Sequence, residues 1–140
     1  MQKNTIHITE ADFDRLERLV DGWWAQDPRT RTLLDRLQEE LDRARVVDNQ
    51  AVAPGCVTLG SEIMLRDLNT GELSVHRLAL PNETGDSRAA LSILSPVGIA
   101  VLGYGEGDEV DCETPGGRRR LRVEKVLFQP EADLRNCISP

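Results

Sequence analysis

The sequence has 140 residues, 39% of them hydrophobic and 29% charged, with a net charge of −7, a composition that suits one globular domain or two small units. No apolar run approaches the ~18–20 residues of a membrane-spanning helix, and the start, MQKNTIHITEADF, lacks the apolar core of a signal peptide, so a cytoplasmic location is the expectation. The acidity is spread, −3 over residues 1–50 and −4 over residues 51–140, which disfavours direct sequence-specific nucleic-acid binding, since that task relies on net basic faces.

Residues 9–24 read as an amphipathic helix. Thr9 suits the N-cap, with Asp12 three residues on as a weak capping-box partner. Phe13, Leu16, Val20 and Trp23 recur at 3-4-3 spacing and make one apolar stripe. A second helix is predicted over 28–46, capped by Asp27 with Pro28 at its first position, and Leu34, Leu37, Leu41 and Ala44 repeat the same spacing. A short turn between two such stripes makes an antiparallel helical hairpin with arms of ~25 Å at 1.5 Å per residue. Leu19 and Leu33 widen the stripe, so the hairpin is expected to pack on something besides itself. The tip reads VDGWWAQDP and holds Asp21, Trp23, Trp24 and Asp27. Capping accounts for Asp27, and Asp21 reads as a solvated last-turn acid. One tryptophan completes the stripe. The other either covers the hairpin's open end or anchors a partner, as interface tryptophans do.

Residues 48–56, DNQAVAPGC, have no periodicity and contain a Pro-Gly turn, so they read as a linker. A strand follows within 57–68, with Ile63 and Leu65 on one face. A turn over 69–72 and a return strand over 73–80 complete a β-hairpin. The loop 81–88 is polar and 89–94 reads as a short buried strand. Ser95 then caps a short helix with Pro96 at its first position, and the helix ends at Gly103. A strand over 108–114 carries Val110 and Cys112 on one face. Pro115-Gly116 fits the centre of a type II turn. On the last strand, 118–129, Leu121 and Val123 share one parity while Val126 and Phe128 have the other, and a bulge near Glu124-Lys125 would restore the register. The fold class is therefore α+β: a helical hairpin, then a strongly bent antiparallel sheet with one short helix across it.

Little in this chain looks like enzyme chemistry. Cys56, Cys112 and Cys137 are far apart and form no CxxC pair, so neither a disulfide framework nor a zinc site is expected. His7 and His76 stand alone and read as surface or strand residues. Arg118, Arg119, Arg120 and Arg122 read as a solvated strand face paired with Glu109, Asp111 and Glu113 across the turn. No Ser-His-Asp or Cys-His arrangement and no P-loop occurs. The chain is expected not to be an enzyme and to use no metal or cofactor.

One ordered set of marks is rarer than its parts. Ser95-Pro96 opens a short apolar run, Gly103, Gly105 and Gly107 close it, and Thr114-Pro115-Gly116-Gly117 makes the following turn. This set resembles the C-terminal domain of the bacterial Gre transcript cleavage factors, most nearly their Rnk branch, the regulators of nucleoside diphosphate kinase. The resemblance implies a hairpin unit over residues 1–50 and an FKBP-like domain over 51–140. It implies core RNA polymerase as partner; no membrane contact and a monomeric chain are expected besides. It assigns polymerase docking to Leu94, Ser95 and Pro96, at a coiled coil on the channel rim. In Gre factors the hairpin enters the secondary channel, and a close acidic pair at its tip helps hold the second catalytic Mg²⁺, a hard cation that prefers carboxylates. Here Asp21 and Asp27 straddle the turn and the hairpin is shorter. The expectation is a regulator that contests the secondary channel without a catalytic tip. Two alternatives stay open: a true cleavage factor acting through Asp21 and Asp27, and an adaptor for an unrelated protein. Prolyl isomerase pockets are aromatic, and with only Tyr104 and Phe128 in this domain that activity is not implied.

Overall fold

The computed structural model describes residues 5–22, 27–84, 89–114 and 116–133. The chain opens with a strand that the sequence pattern does not reveal, β1 (His7–Thr9), which runs directly into α1 (Glu10–Gly22). The Thr9 hydroxyl accepts the Asp12 N–H at 3.2 Å, as an N-cap should. Asp12 does not complete a capping box. It is buried, and its carboxylate accepts the Leu59 N–H at 3.0 Å and pairs with Arg15.

Helix α2 (Pro28–Arg43) is capped by Asp27 as expected but ends three residues before the predicted limit of 46. Residues Arg45–Val47 form β2, a parallel partner of β1 with His7 opposite Arg45 and Thr9 opposite Val47. Helix propensity at Ala44-Arg45 yields here to backbone bonding: Arg45 N–H donates to Ile6 O at 2.9 Å. The two helices form the hairpin, and the short β1–β2 pair ties its base.

Residues 48–56 are fixed to the body. Val52 and Cys56 are buried, the Cys56 N–H closes the Pro54-Gly55 turn on Ala53 O at 3.0 Å, and the Gln129 amide donates to Ala53 O and Cys56 O. The sheet that follows has the order β5-β4-β3-β7-β6. Its strands are β3 (Glu62–Asp67), β4 (Leu73–Ala79), β5 (Ala90–Ser92), β6 (Glu109–Thr114) and β7 (Gly117–Phe128). All neighbours are antiparallel except β4 and β5. A 3₁₀ turn at Pro81–Glu83 follows β4. Helix α3 (Pro96–Val101) lies against β6.

The bulge expected near Glu124 is present. Leu65 faces Val123 and Met64 faces Lys125, which leaves Glu124 as the extra residue. A second bulge follows that the parity pattern does not signal: Ile63 faces Val126 but Glu62 faces Phe128, so Leu127 is also extra. The first bulge returns Val126 to the core side. The second turns Phe128 out again, to 44% exposure, which corrects the shared parity read from sequence. Thr114 pairs with Gly117, so the hairpin loop holds two residues, of which Pro115 lies outside the described set.

Among the described residues one cluster of buried apolar side chains joins the hairpin to the sheet and α3. Ile6, Ile8, Leu16, Leu37 and Leu41 join Val57, Ile63, Leu78, Val101 and Val123 in it. Leu19 and Leu33 pack partly against the same cluster, and α2 lies against α3, so the hairpin packs on more than itself, as its wide stripe required.

Candidate partner-binding surface

Leu94, Ser95 and Pro96 sit at the start of α3, each half-buried. Ser95 makes a knot. Its hydroxyl donates to Ser92 O at 2.6 Å and accepts the Gly98 N–H at 3.1 Å. The Leu94 N–H donates to the Ser92 hydroxyl at 3.0 Å. A Cβ at Gly98 would fall on the Ser92 carbonyl oxygen, so only glycine fits where α3 crosses the end of β5. The sequence pattern points to the serine–proline cap but not to Ser92 or Gly98; a glycine inside a six-residue apolar run was the one available signal.

Pro96 lines two adjacent clefts, of about 450 and 380 Å³. Ile99, Ala100, Val110 and Cys112 give the larger one an apolar floor, and Arg36 and Glu39 of α2 with Arg118 and Arg120 of β7 stand around it. Arg36, Pro96 and Glu113 line both. The hairpin, the α3 segment and the β6–β7 hairpin thus meet on one surface. No local pattern could show this, because its residues come from three distant stretches of chain.

Three of the four arginines of β7 stand where the sequence indicated, and Arg119 does not. Glu113, Asp111 and Glu109 stand opposite Arg118, Arg120 and Arg122 in the register. Arg120 reaches Glu109 and Asp111 at 3.5 and 3.7 Å, and Arg122 reaches Glu109 at 3.1 Å. Arg119 points the other way and pairs with Asp67 at 2.6 Å. The Asp67 carboxylate also accepts the Asn69 and Thr70 N–H groups. The Asn69 N–H foremost, with Arg119 and the Thr70 N–H, holds its pKa below the ordinary value.

At the hairpin tip, Trp23 and Trp24 lie outside the described residues. Asp21 is exposed in the last turn of α1. Asp27 is exposed, and its Oδ2 accepts both the N–H and the hydroxyl of Thr30 at 2.9 Å. The Thr30 N–H, followed by its hydroxyl, lowers the Asp27 pKa. The helices have 13 and 16 residues, so the arms reach ~20 and ~24 Å.

Among the described residues no group of three or more His, Cys, Asp or Glu side chains could hold a metal ion. Cys56 and Cys112 are buried free thiols, and Cys137 lies outside the described set. Burial pushes the Cys56 thiol up to about 12 and raises Cys112 as well. His76 on β4 is held below its ordinary pKa by burial and contacts the Ser74 hydroxyl at 2.9 Å. His7 is exposed on β1. No helix is long and apolar enough to cross a membrane, among the described residues.

This arrangement of hairpin, capped α3 and sheet has known counterparts. The family described as transcription elongation factor GreA/GreB, C-terminal, matches residues 52–128, and the Rnk N-terminus family matches residues 4–47. The chain belongs to the Gre family, with an Rnk-type N-terminus. The regulator of nucleoside diphosphate kinase of Escherichia coli K12 is 36% identical over 134 residues, covering 94% of this chain and 96% of that protein. GreA of Desulfotalea psychrophila is 38% identical over 90 residues, 64% of this chain but only 56% of its own length. Among solved structures, a prokaryotic transcription elongation factor GreA/GreB from Nitrosomonas europaea superposes with a TM-score of 0.71 at 35% identity, over 90% of this chain and 100% of that one. In this Gre-family transcription factor the GreA/GreB-type region holds the sheet and the capped α3, and the Rnk-type region holds the hairpin.

Proposed function

We propose that this Gre-family factor binds core RNA polymerase through Leu94, Ser95 and Pro96 and sets its hairpin at the secondary channel, where it contests Gre factors without stimulating cleavage. It acts as a monomer and regulates elongation by occupancy rather than chemistry. The observation that carries this reading is the surface on which Pro96 and Arg36 line the same clefts. A body docked at Pro96 necessarily meets the flank of α2, so docking and hairpin placement are one event. The tip supports the non-catalytic half. Asp27 already caps α2 through Thr30, and a carboxylate accepting two hydrogen bonds is less available to a metal. The FKBP-like division at residue 50 is proposed as a boundary between building blocks, not between cores.

The test is transcript cleavage in backtracked elongation complexes. The chain alone should leave the RNA uncleaved, and added to a Gre-stimulated reaction it should inhibit with a dose that follows its polymerase affinity. Robust cleavage by the chain alone, lost on Asp21→Asn, would establish the cleavage-factor alternative. Failure to co-purify with polymerase would leave the adaptor reading.

A further inference from the structure

The hairpin meets the rest of the chain at a polar seam. The His7 N–H donates to Gly103 O at 3.2 Å, the Gly103 N–H to Val57 O at 3.0 Å, and the Val57 N–H to Tyr104 O at 2.8 Å. From α1, the buried Asp12 carboxylate accepts the Leu59 N–H. From α2, Arg43 donates to the Tyr104 hydroxyl at 2.9 Å and lies 5.9 Å from the centre of its ring. Its other side pairs with Glu40 at 2.6 Å. A Cβ at Gly103 would come within 2.7 Å of the Ile6 Cβ, so β1 lies directly on the chain that leaves α3. The segment Leu102–Tyr104 continues α3, whose other end carries Ser95 and Pro96.

We infer that the Arg43–Tyr104 and Asp12–Leu59 contacts form a latch that fixes the hairpin's direction relative to the α3 segment, with Tyr104 and Arg43 as positioning residues. Apolar burial holds the hairpin on the body, but that attraction is non-directional and tolerates sliding and rotation. The directional bonds at the seam remove that freedom. One such bond comes from each helix and a third from β1 through His7, so the hairpin is held at three separate points. Hairpin and docking segment are then presented to a partner as one rigid surface, with the ordering cost already met in the free chain. The consequence for polymerase rests on the function proposed above; the latch itself does not.

The experiment uses the full chain with Cys137→Ser and spin labels at Arg31→Cys on α2 and Thr70→Cys on the β3–β4 turn, both exposed positions, while Cys56 and Cys112 stay buried. Pulsed dipolar spectroscopy should give one narrow distance distribution. Tyr104→Phe, which keeps the ring and the core, should broaden or shift it while the melting curve stays within a few degrees. The inhibitory potency against Gre-stimulated cleavage should fall about fivefold, the equilibrium equivalent of one net hydrogen bond. Glu40→Gln combined with Arg43→Met is the second variant and should act in the same direction. If that variant does not fold, Tyr104→Phe alone decides. A broad wild-type distribution, or a narrow one that Tyr104→Phe leaves unchanged, overturns the latch. Broadening by Tyr104→Phe in a chain that fails to inhibit at all supports the latch and removes the polymerase reading instead.

Discussion

Leu37→Ala is the sharpest probe of the single core. Leu37 belongs to the hairpin, yet it is fully buried in a cluster that runs on through Ile63 and Val101 to Val123. A Leu→Ala change in a core costs about 2–5 kcal/mol, and sites that cannot collapse lie at the high end. Leu37 is completely buried in that cluster, so a cost of about 3–4 kcal/mol is expected. With a urea m-value of about 2 kcal/mol/M for a domain of this size, the midpoint falls by about 1.5–2 M. Unfolding would be followed at once by tryptophan fluorescence, which reports only the hairpin because Trp23 and Trp24 are the chain's two tryptophans, and by circular dichroism in the strand region. Both probes should move together in wild type and in the variant, as one cooperative unit requires. A variant whose hairpin signal shifts while the strand signal stays at the wild-type midpoint would refute the common core and restore two independent units.

Three further outcomes follow from individual residues. Gly98→Ala places a methyl group on the Ser92 carbonyl oxygen and should displace α3 at a cost of about 1–3 kcal/mol, read as a lower melting temperature and weaker polymerase binding than Ala100→Gly produces. Asp67→Asn should destabilise the chain at neutral pH. Because the folded pKa of Asp67 is depressed, its stabilisation is fully present above the ordinary carboxylate value and is lost as pH falls through the lower folded one. The gap between wild type and variant should therefore narrow below pH ~4, and a constant gap would show that the ionised carboxylate gains nothing from Asn69, Arg119 and Thr70. Cys56, pushed up to about 12, should resist alkylation at pH 8 in the folded chain and react in denaturant, as mapped by mass spectrometry; rapid labelling without denaturant would contradict its burial.

Local signals carried the elements with strong periodicity or distinctive caps. The 3-4-3 stripes mark α1 and α2, Asp27-Pro28 and Ser95-Pro96 mark the starts of α2 and α3, and the parity break on the last strand marks the bulge at Glu124. The reading failed where a residue answers to a distant partner. Three-residue strands have no period to detect, so β1 and β2 leave no local signal, and the helical pattern over 28–46 runs on into Arg45 and Val46 of β2. Asp12 looked like a cap because nothing nearby reveals that Leu59 needs an acceptor. A second bulge at Leu127 cannot be inferred once a first one has already reconciled the parities. At the candidate surface, the serine–proline cap was legible, but the meeting of Arg36, Pro96 and Glu113 depends on how the hairpin is laid on the sheet.

The central claim is that the start of α3 docks this chain on RNA polymerase. Its most direct measurement is the equilibrium affinity of fluorescently labelled full-length chain for core polymerase, wild type against Ser95→Ala combined with Pro96→Ala. The double variant loses the cap on Gly98, which costs only about 1–2 kcal/mol of fold stability, so it should remain folded by circular dichroism. The account predicts saturable binding for the wild type and a loss of about tenfold or more for the variant, the scale of a hot-spot contact. Equal affinity for the two folded chains would contradict docking at Leu94–Pro96, and no measurable affinity for either would contradict the polymerase itself as the partner.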